Sequence, residues 1–173
     1  MKVSCLLTAP LLWAGMASAT VCKPSTPQVC QNILSAPDFS PSSAWIAYFP
    51  ANQAPADNSW TPTAPCGDYD SCVQITAHQD TALSIQSFTY PYSGAYTASL
   101  KYKVLNAGDG SGNLKFGLVT GEAGVTTNAV TSTWETYTID FTANAGGGSL
   151  YLAYTASGFG TIQVTDVQII ACQ

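Results

Sequence analysis

Arginine is absent from this chain, and five lysines face ten acidic residues, a net charge of −5. Charged side chains are only 9% of the sequence. Nucleic acid is excluded as a partner, because its affinity comes mainly from cationic contacts with phosphate. An anionic membrane surface is disfavoured for the same reason. The only histidine is His78, and the only glutamates are Glu122 and Glu135. No Gly-x-Ser-x-Gly elbow accompanies His78, which reads as a surface-turn residue rather than a member of a triad. Nothing singles out a carboxylate pair at glycosidase separation. No Asn-x-Ser/Thr sequon occurs, so N-glycosylation is not expected. No window of ten or more residues carries a helical stripe. The expectation is a protein that is not an enzyme and has no catalytic cofactor.

The apolar run Val3–Met16 follows Met1-Lys2 and ends in Ala17-Ser18-Ala19. That pattern reads as a secretory leader over residues 1–19, and the run is shorter than the ~20 residues a bilayer span needs. The expected product begins at Thr20, is exported and soluble, and has no N-terminal histidine for copper chemistry. Residues 20–29 read as a short Pro-containing lead-in, and 30–173 as a single β-sandwich domain. The Cys22-Lys23-Pro24 start resembles those of many secreted fungal proteins.

Strand candidates fall at Ala44–Phe49, Val73–Ala77, Leu83–Phe88, Tyr96–Val104 and Leu114–Val119. Tyr96, Ala98, Leu100, Tyr102 and Val104 alternate with Thr97, Ser99, Lys101 and Lys103, the period of a half-buried strand. Asp109–Asn113 reads as a hairpin turn. Near the C-terminus, Tyr137, Ile139 and Phe141 alternate with Thr136, Thr138 and Asp140. Asn144–Gly148 then supplies a turn, Leu150, Leu152 and Tyr154 alternate again, and Gly158-Phe159-Gly160 turns the chain once more. In the last run Ile162 and Val164 are out of phase with Val167 and Ile169, so a β-bulge near Thr165-Asp166 is needed to keep all four inward. The fold class is all-β: an antiparallel sandwich or jelly roll. Pro50–Cys72 does not read as a strand. A connection longer than about 12–15 residues is usually functional or disordered, so it reads as a binding loop.

Trp134-x-x-Tyr137-x-x-x-Phe141, a Gly-rich turn, a short aromatic strand and Asp166-Val167-x-Ile169 resemble the end of a CenC-type carbohydrate-binding module. Asn32-Ile33-Leu34, Phe39 and Trp45 are similar to the opening of that family, and Tyr96–Lys103 to its central strand. The resemblance, to sugar-binding families 4, 9 and 22, implies a galactose-binding-like jelly roll that binds a neutral cell-wall polysaccharide or oligosaccharide. The alternative is a small secreted effector that meets a host protein through the same fold. The family often holds a structural calcium. Here Ser40 and Thr165 replace two of its donors, leaving Asp38 and Asp166 as candidate ligands.

Sugar faces stack on aromatic rings while polar side chains meet the hydroxyls. Trp45, Trp60, Tyr69, Trp134 and Tyr151 are the candidate rings, with Trp45 and Trp134 weighted toward packing. Trp60 and Tyr69, in the long loop, are the better ligand residues, with Asn58, Asp68 and Asp70 beside them. A concave sheet near Trp134 and Tyr151 is the alternative site. Of the six cysteines, Cys5 lies in the leader. Sequence leaves the pairing of the other five open. Cys66 and Cys72 bracket a Gly-containing turn, favouring a local bridge, and the adjacency of first and last jelly-roll strands favours Cys30–Cys172, with Cys22 left over. Cys22–Cys30 with Cys172 free is the runner-up.

Overall fold

The computed structural model describes residues 29–48, 58–78, 81–118, 121–127, 129–156 and 158–172. The leader, nearly all of the lead-in, Cys22, and the stretch from Phe49 to Asp57 lie outside the described residues. The strands are β1 (Cys30–Asn32), β2 (Ile46–Tyr48), β3 (Ser59–Thr63), β4 (Cys72–Ala77), β5 (Thr81–Tyr90) and β6 (Gly94–Ala107). They continue with β7 (Gly112–Leu118), β8 (Gly121–Thr127), β9 (Glu135–Ala143), β10 (Gly146–Thr155) and β11 (Gly160–Cys172). One sheet has the order β3-β4-β11-β6-β9, with β1 also on β11, and the other β2-β5-β10-β7-β8. All the pairings are antiparallel. The architecture is an all-β antiparallel jelly roll, and a three-residue 3-10 turn at Ser42–Ala44 is the only helical element among the described residues.

Alternation along β6 decides which face is core. Tyr96, Ala98, Leu100, Tyr102 and Val104 are all at most 5% exposed, while Lys101 and Lys103 point away from the second sheet. Burying each large apolar side chain contributes on the order of 1.5–3 kcal/mol. On β11 the register slips between Thr165 and Gln168, and Asp166 takes φ 50°. This bulge resets the phase, so Ile162, Val164, Val167 and Ile169 are all fully buried. A second slip, between Thr161 and Ile162, leaves Leu105 as the extra residue on β6, 38% exposed.

Several local expectations are corrected. Pro50–Cys72 is not one loop: β3 pairs with β4 from Ser59↔Thr76 to Thr63↔Cys72. It is an edge strand, where a proline such as Pro62 is tolerated because one side of the backbone has no partner. Strand β8 was not foreseen, because Gly121–Thr127 is rich in Gly, Ala and Thr and carries no apolar alternation. The proposed strand at Ala44–Phe49 begins instead with the 3-10 turn and narrows to β2. The turn after Ala107 is not a hairpin, since β6 and β7 belong to different sheets. Gly146–Gly148 lie in β10 opposite Tyr90, Thr89 and Phe88 rather than in a turn. The chain changes sheets at most of its turns, and in a jelly roll the partner of a strand is mostly distant in sequence.

Two disulfides close the structure. Cys30–Cys172 joins the terminal strands across a separation of 142 residues, and Cys66–Cys72 spans six. The Asn32 side chain holds the first strand to the last as well. Its carbonyl oxygen accepts the Ile169 N–H at 3.0 Å and its amide donates to Val167 O at 3.3 Å.

Candidate functional site

The β3–β4 connection is a tight turn. The Cys66 N–H donates to Tyr69 O at 2.9 Å and the Tyr69 N–H to Cys66 O at 3.3 Å. Gly67 takes φ 66°, a left-handed conformation that glycine adopts without steric cost. Both cysteines are buried, at 2% and 0% exposure, so their bridge pins the turn to the sheet while Asp68 and Asp70 stay exposed. The turn presents Tyr69 to Trp134, just before β9, with ring centroids 5.0 Å apart at 74°. Edge-to-face geometry of this kind is favourable for aromatic pairs.

Lys101 completes the cluster from β6. Its Nζ lies 4.9 Å from the Tyr69 ring centroid and 3.2 Å from Asp166 Oδ2. The Lys101 ammonium is held above its ordinary pKa range, first by the hydrogen bond to Tyr69 and then by Asp166. Gln168 donates to Asp166 Oδ1 at 2.5 Å. Nearby, burial pushes the Tyr102 phenol up to about 12, helped by its hydrogen bond to Glu135. The result is a half-buried aromatic pair on the outer face of the β6-containing sheet, beside one lysine and several carboxylates. It offers a ring surface, hydrogen-bond acceptors and a donor, but no nucleophile with an adjacent base.

The structure sorts the remaining candidates. Tyr69, Trp134, Asp68 and Asp70 come together. Trp60 does not stand in a loop: it lies on β3 opposite Ile75, packs on the core, and its ring is 6.0 Å from Phe39. Asn58 is 3% exposed, and its side-chain oxygen caps the His78 N–H at 2.8 Å, so it is a structural residue. Trp45 is core, 4% exposed, with its indole N–H donated to Ala36 O at 2.8 Å. Tyr151 lies on β10 in the other sheet, so it and Trp134 do not share a face. Its ring crosses Gly117, where a Cβ would come within 1.8 Å of Cζ. Lys101 was not among the sequence candidates. Its outward phase was legible, but its neighbours were not.

Calcium wants about six to eight oxygens, and the residues present do not fit it. Asp166 is already compensated by the Lys101 ammonium, and Asp38 Oδ1 accepts the Ser40 N–H at 3.1 Å. The Asp38 and Ser71 carbonyls accept the hydroxyls of Ser71 and Thr165, at 2.7 and 2.8 Å. No group of three His, Cys, Asp or Glu side chains is placed to hold a metal among the described residues.

No family model matches the chain, and no curated protein does. Solved structures do. The enzymatically active domain of tailspike protein 4 from bacteriophage CBA120 superposes with a TM-score of 0.59 at 12% identity. That match covers 82% of this chain, which spans only 21% of the tailspike chain. TmCBM61, solved in complex with β-1,4-galactotriose, gives 0.58 at 11% identity over 80% of this chain and 97% of its own. The family 11 carbohydrate-binding module of Clostridium thermocellum, solved with a β-1,3-1,4-mixed-linked tetrasaccharide, gives 0.53 at 12% identity over 82% and 94%. At these identities the likeness is one of fold alone, an antiparallel β jelly roll.

Proposed function

We propose that this chain is a secreted, non-catalytic carbohydrate-binding protein of the CenC-like kind, which holds a neutral cell-wall glycan on the Tyr69–Trp134 surface. The observation that carries the reading is the convergence of these two rings, 65 residues apart in sequence, at 5.0 Å within a fold shared with saccharide-binding modules. The bridged turn supports it, because a pre-ordered loop loses less entropy on binding. So does the charge balance: Lys101 is neutralised by Asp166, while Asp68 and Asp70 remain exposed and would repel an acidic sugar. Secretion is supported by the leader-like N-terminus and the two disulfides. Among the described residues no helix is long and apolar enough to cross a membrane.

A single module of this kind is expected to bind with a dissociation constant of roughly micromolar to millimolar, about 4–8 kcal/mol. Pull-down on insoluble polysaccharides, then titration with β-glucan, xylan and chitin oligosaccharides, tests the reading. Trp134→Ala should remove ~2 kcal/mol, enough to abolish detectable binding while the domain stays folded. If the wild type binds none of these glycans, the host-protein reading replaces this one. If Trp134→Ala binds as well as wild type, the Tyr69–Trp134 surface is not the site.

A further inference from the structure

The outer edges of a β-sandwich carry backbone donors and acceptors that can pair with a further strand, and most such edges are short or interrupted. Here β3 carries Pro62, β2 has three residues, and β8 has Gly124 at its middle. Strand β9 has none of these features. It contains no Pro, Gly or Lys, and among the described residues it pairs only with β6, along its whole length from Glu135 to Ala143. Thr136, Thr138, Asp140 and Thr142 are exposed on its outer face. Tyr137, Ile139 and Phe141 pack on the core from the inner face but are only half-buried. A long, regular edge of this kind is a template for another strand.

The sequence of β9 identifies the partner, because it reads nearly the same in both directions about Ile139. Thr136 mirrors Thr142, Tyr137 mirrors Phe141, and Thr138 mirrors Asp140. Antiparallel pairing of two copies across a two-fold axis at Ile139 therefore sets each residue opposite its mirror, the self-complementarity that an isologous contact requires. On the inner face Tyr137 meets Phe141 of the second copy, and the two Ile139 side chains meet each other. On the outer face Thr136 meets Thr142, and Thr138 meets Asp140. Aromatic, apolar and hydroxyl pairs directly across two strands stabilise a sheet, whereas like charges there destabilise it. No acid faces an acid in this register, since Glu135 lies opposite Ala143. The Thr–Asp pairing already occurs on the other side of β9: Thr97 lies opposite Asp140 and donates its hydroxyl to Oδ1 at 2.7 Å. Moving the axis by one residue spoils the match. At Thr138 it sets Glu135 against Phe141, and at Asp140 it sets the two aspartates against each other.

We propose that β9 is a homodimerisation edge, through which two copies of this chain join their β9-bearing sheets by antiparallel pairing centred on Ile139. The inference goes beyond the glycan reading and does not depend on it. The axis runs perpendicular to the sheet, so both copies keep Tyr69 and Trp134 on the same outer face. The contact is one strand wide, so the dimer forms in a concentration-dependent way. Sedimentation equilibrium of the exported chain, from micromolar to millimolar concentration and without glycan, is the test. All proteins carry Cys22→Ser, so that no bridge through that residue links two chains. The protein with β9 intact should pass from monomer to dimer as concentration rises. Thr138→Glu sets an acid opposite Asp140 on both sides of the axis and should weaken the dimer at least tenfold, with the melting temperature unchanged because Thr138 is exposed. Thr138→Lys/Asp140→Lys sets lysine against lysine and should weaken it as much. An equimolar mixture of these two variants sets lysine against acid throughout and should restore the dimer. If either variant unfolds, Thr136→Glu/Thr142→Glu and Thr136→Lys/Thr142→Lys make the same comparison at exposed positions. A chain with β9 intact that stays monomeric at millimolar concentration overturns the proposal and leaves the edge free or meant for a different strand. A dimer unmoved by Thr138→Glu, or a mixture that stays monomeric, overturns it too. Glycan binding by a chain that never dimerises leaves the proposed function standing.

Discussion

Removing the Cys30–Cys172 bridge is the perturbation whose cost the structure defines most directly. The two residues are 142 apart in sequence and are paired in register on the first and last strands. The native state should change little on reduction, because the Asn32 side chain independently ties β1 to Val167 and Ile169. The effect therefore falls on the unfolded chain. Closing a loop of this length costs about 5 kcal/mol on the chain-entropy model, against about 2 kcal/mol for the six-residue Cys66–Cys72 loop. Five is a large part of the roughly 5–15 kcal/mol that holds a domain of this kind together. Guanidinium unfolding of the Cys30→Ala/Cys172→Ala variant is the assay. The midpoint should fall, and the slope m should rise, because the opened chain exposes more surface when unfolded. Opening the short loop should leave m unchanged. A loss below about 1 kcal/mol with unaltered m would refute the argument and show that unfolded-state structure, not loop closure, sets the bridge's contribution.

Three further outcomes follow from particular residues. Leu100→Asp places a charge at a fully buried position and should prevent folding, seen as loss of cooperative thermal unfolding, while the outward Ser99→Ala should shift stability by less than ~0.5 kcal/mol. Tyr102 has its folded pKa raised above the ordinary tyrosine value, to about 12. Its contribution to stability is fully present below about pH 10 and is lost as pH rises toward 12, because the native state then holds a proton that the unfolded state has released. Burial also raises the Tyr90 and Tyr154 phenols, so spectrophotometric titration of Tyr102→Phe should show one fewer late-ionising tyrosine than wild type, and a Tyr102→Phe protein with the same alkaline stability profile as wild type would count against this. Calcium and chelator should leave the melting temperature unchanged, since Lys101 already neutralises Asp166, and a calcium-dependent rise of several degrees would show that the ion pair gives way to a metal.

The sequence by itself determined the class of fold and much of its phase. Alternation in Tyr96–Val104 and Tyr137–Phe141 is a local property of a strand with one dry face, and it needs no partner to be legible. The slip between Val164 and Val167 was equally local, because only an extra residue keeps both inward. Tertiary structure decided everything that depends on which strand lies beside which. A run of Ser-Trp-Thr-Pro-Thr becomes β3 only because β4 offers an edge, and Gly121–Thr127 becomes β8 only because β7 pairs with it. The candidate site divided in the same way. Ring type and loop position pointed to Trp60 and Tyr69 alike, yet burial against Phe39 turned Trp60 into packing, whereas the Cys66–Cys72 turn carried Tyr69 out to Trp134. Lys101 joined them because β6 and the β11 bulge set its ammonium beside Asp166, a neighbourhood made by strands 65 residues apart that no local pattern encodes.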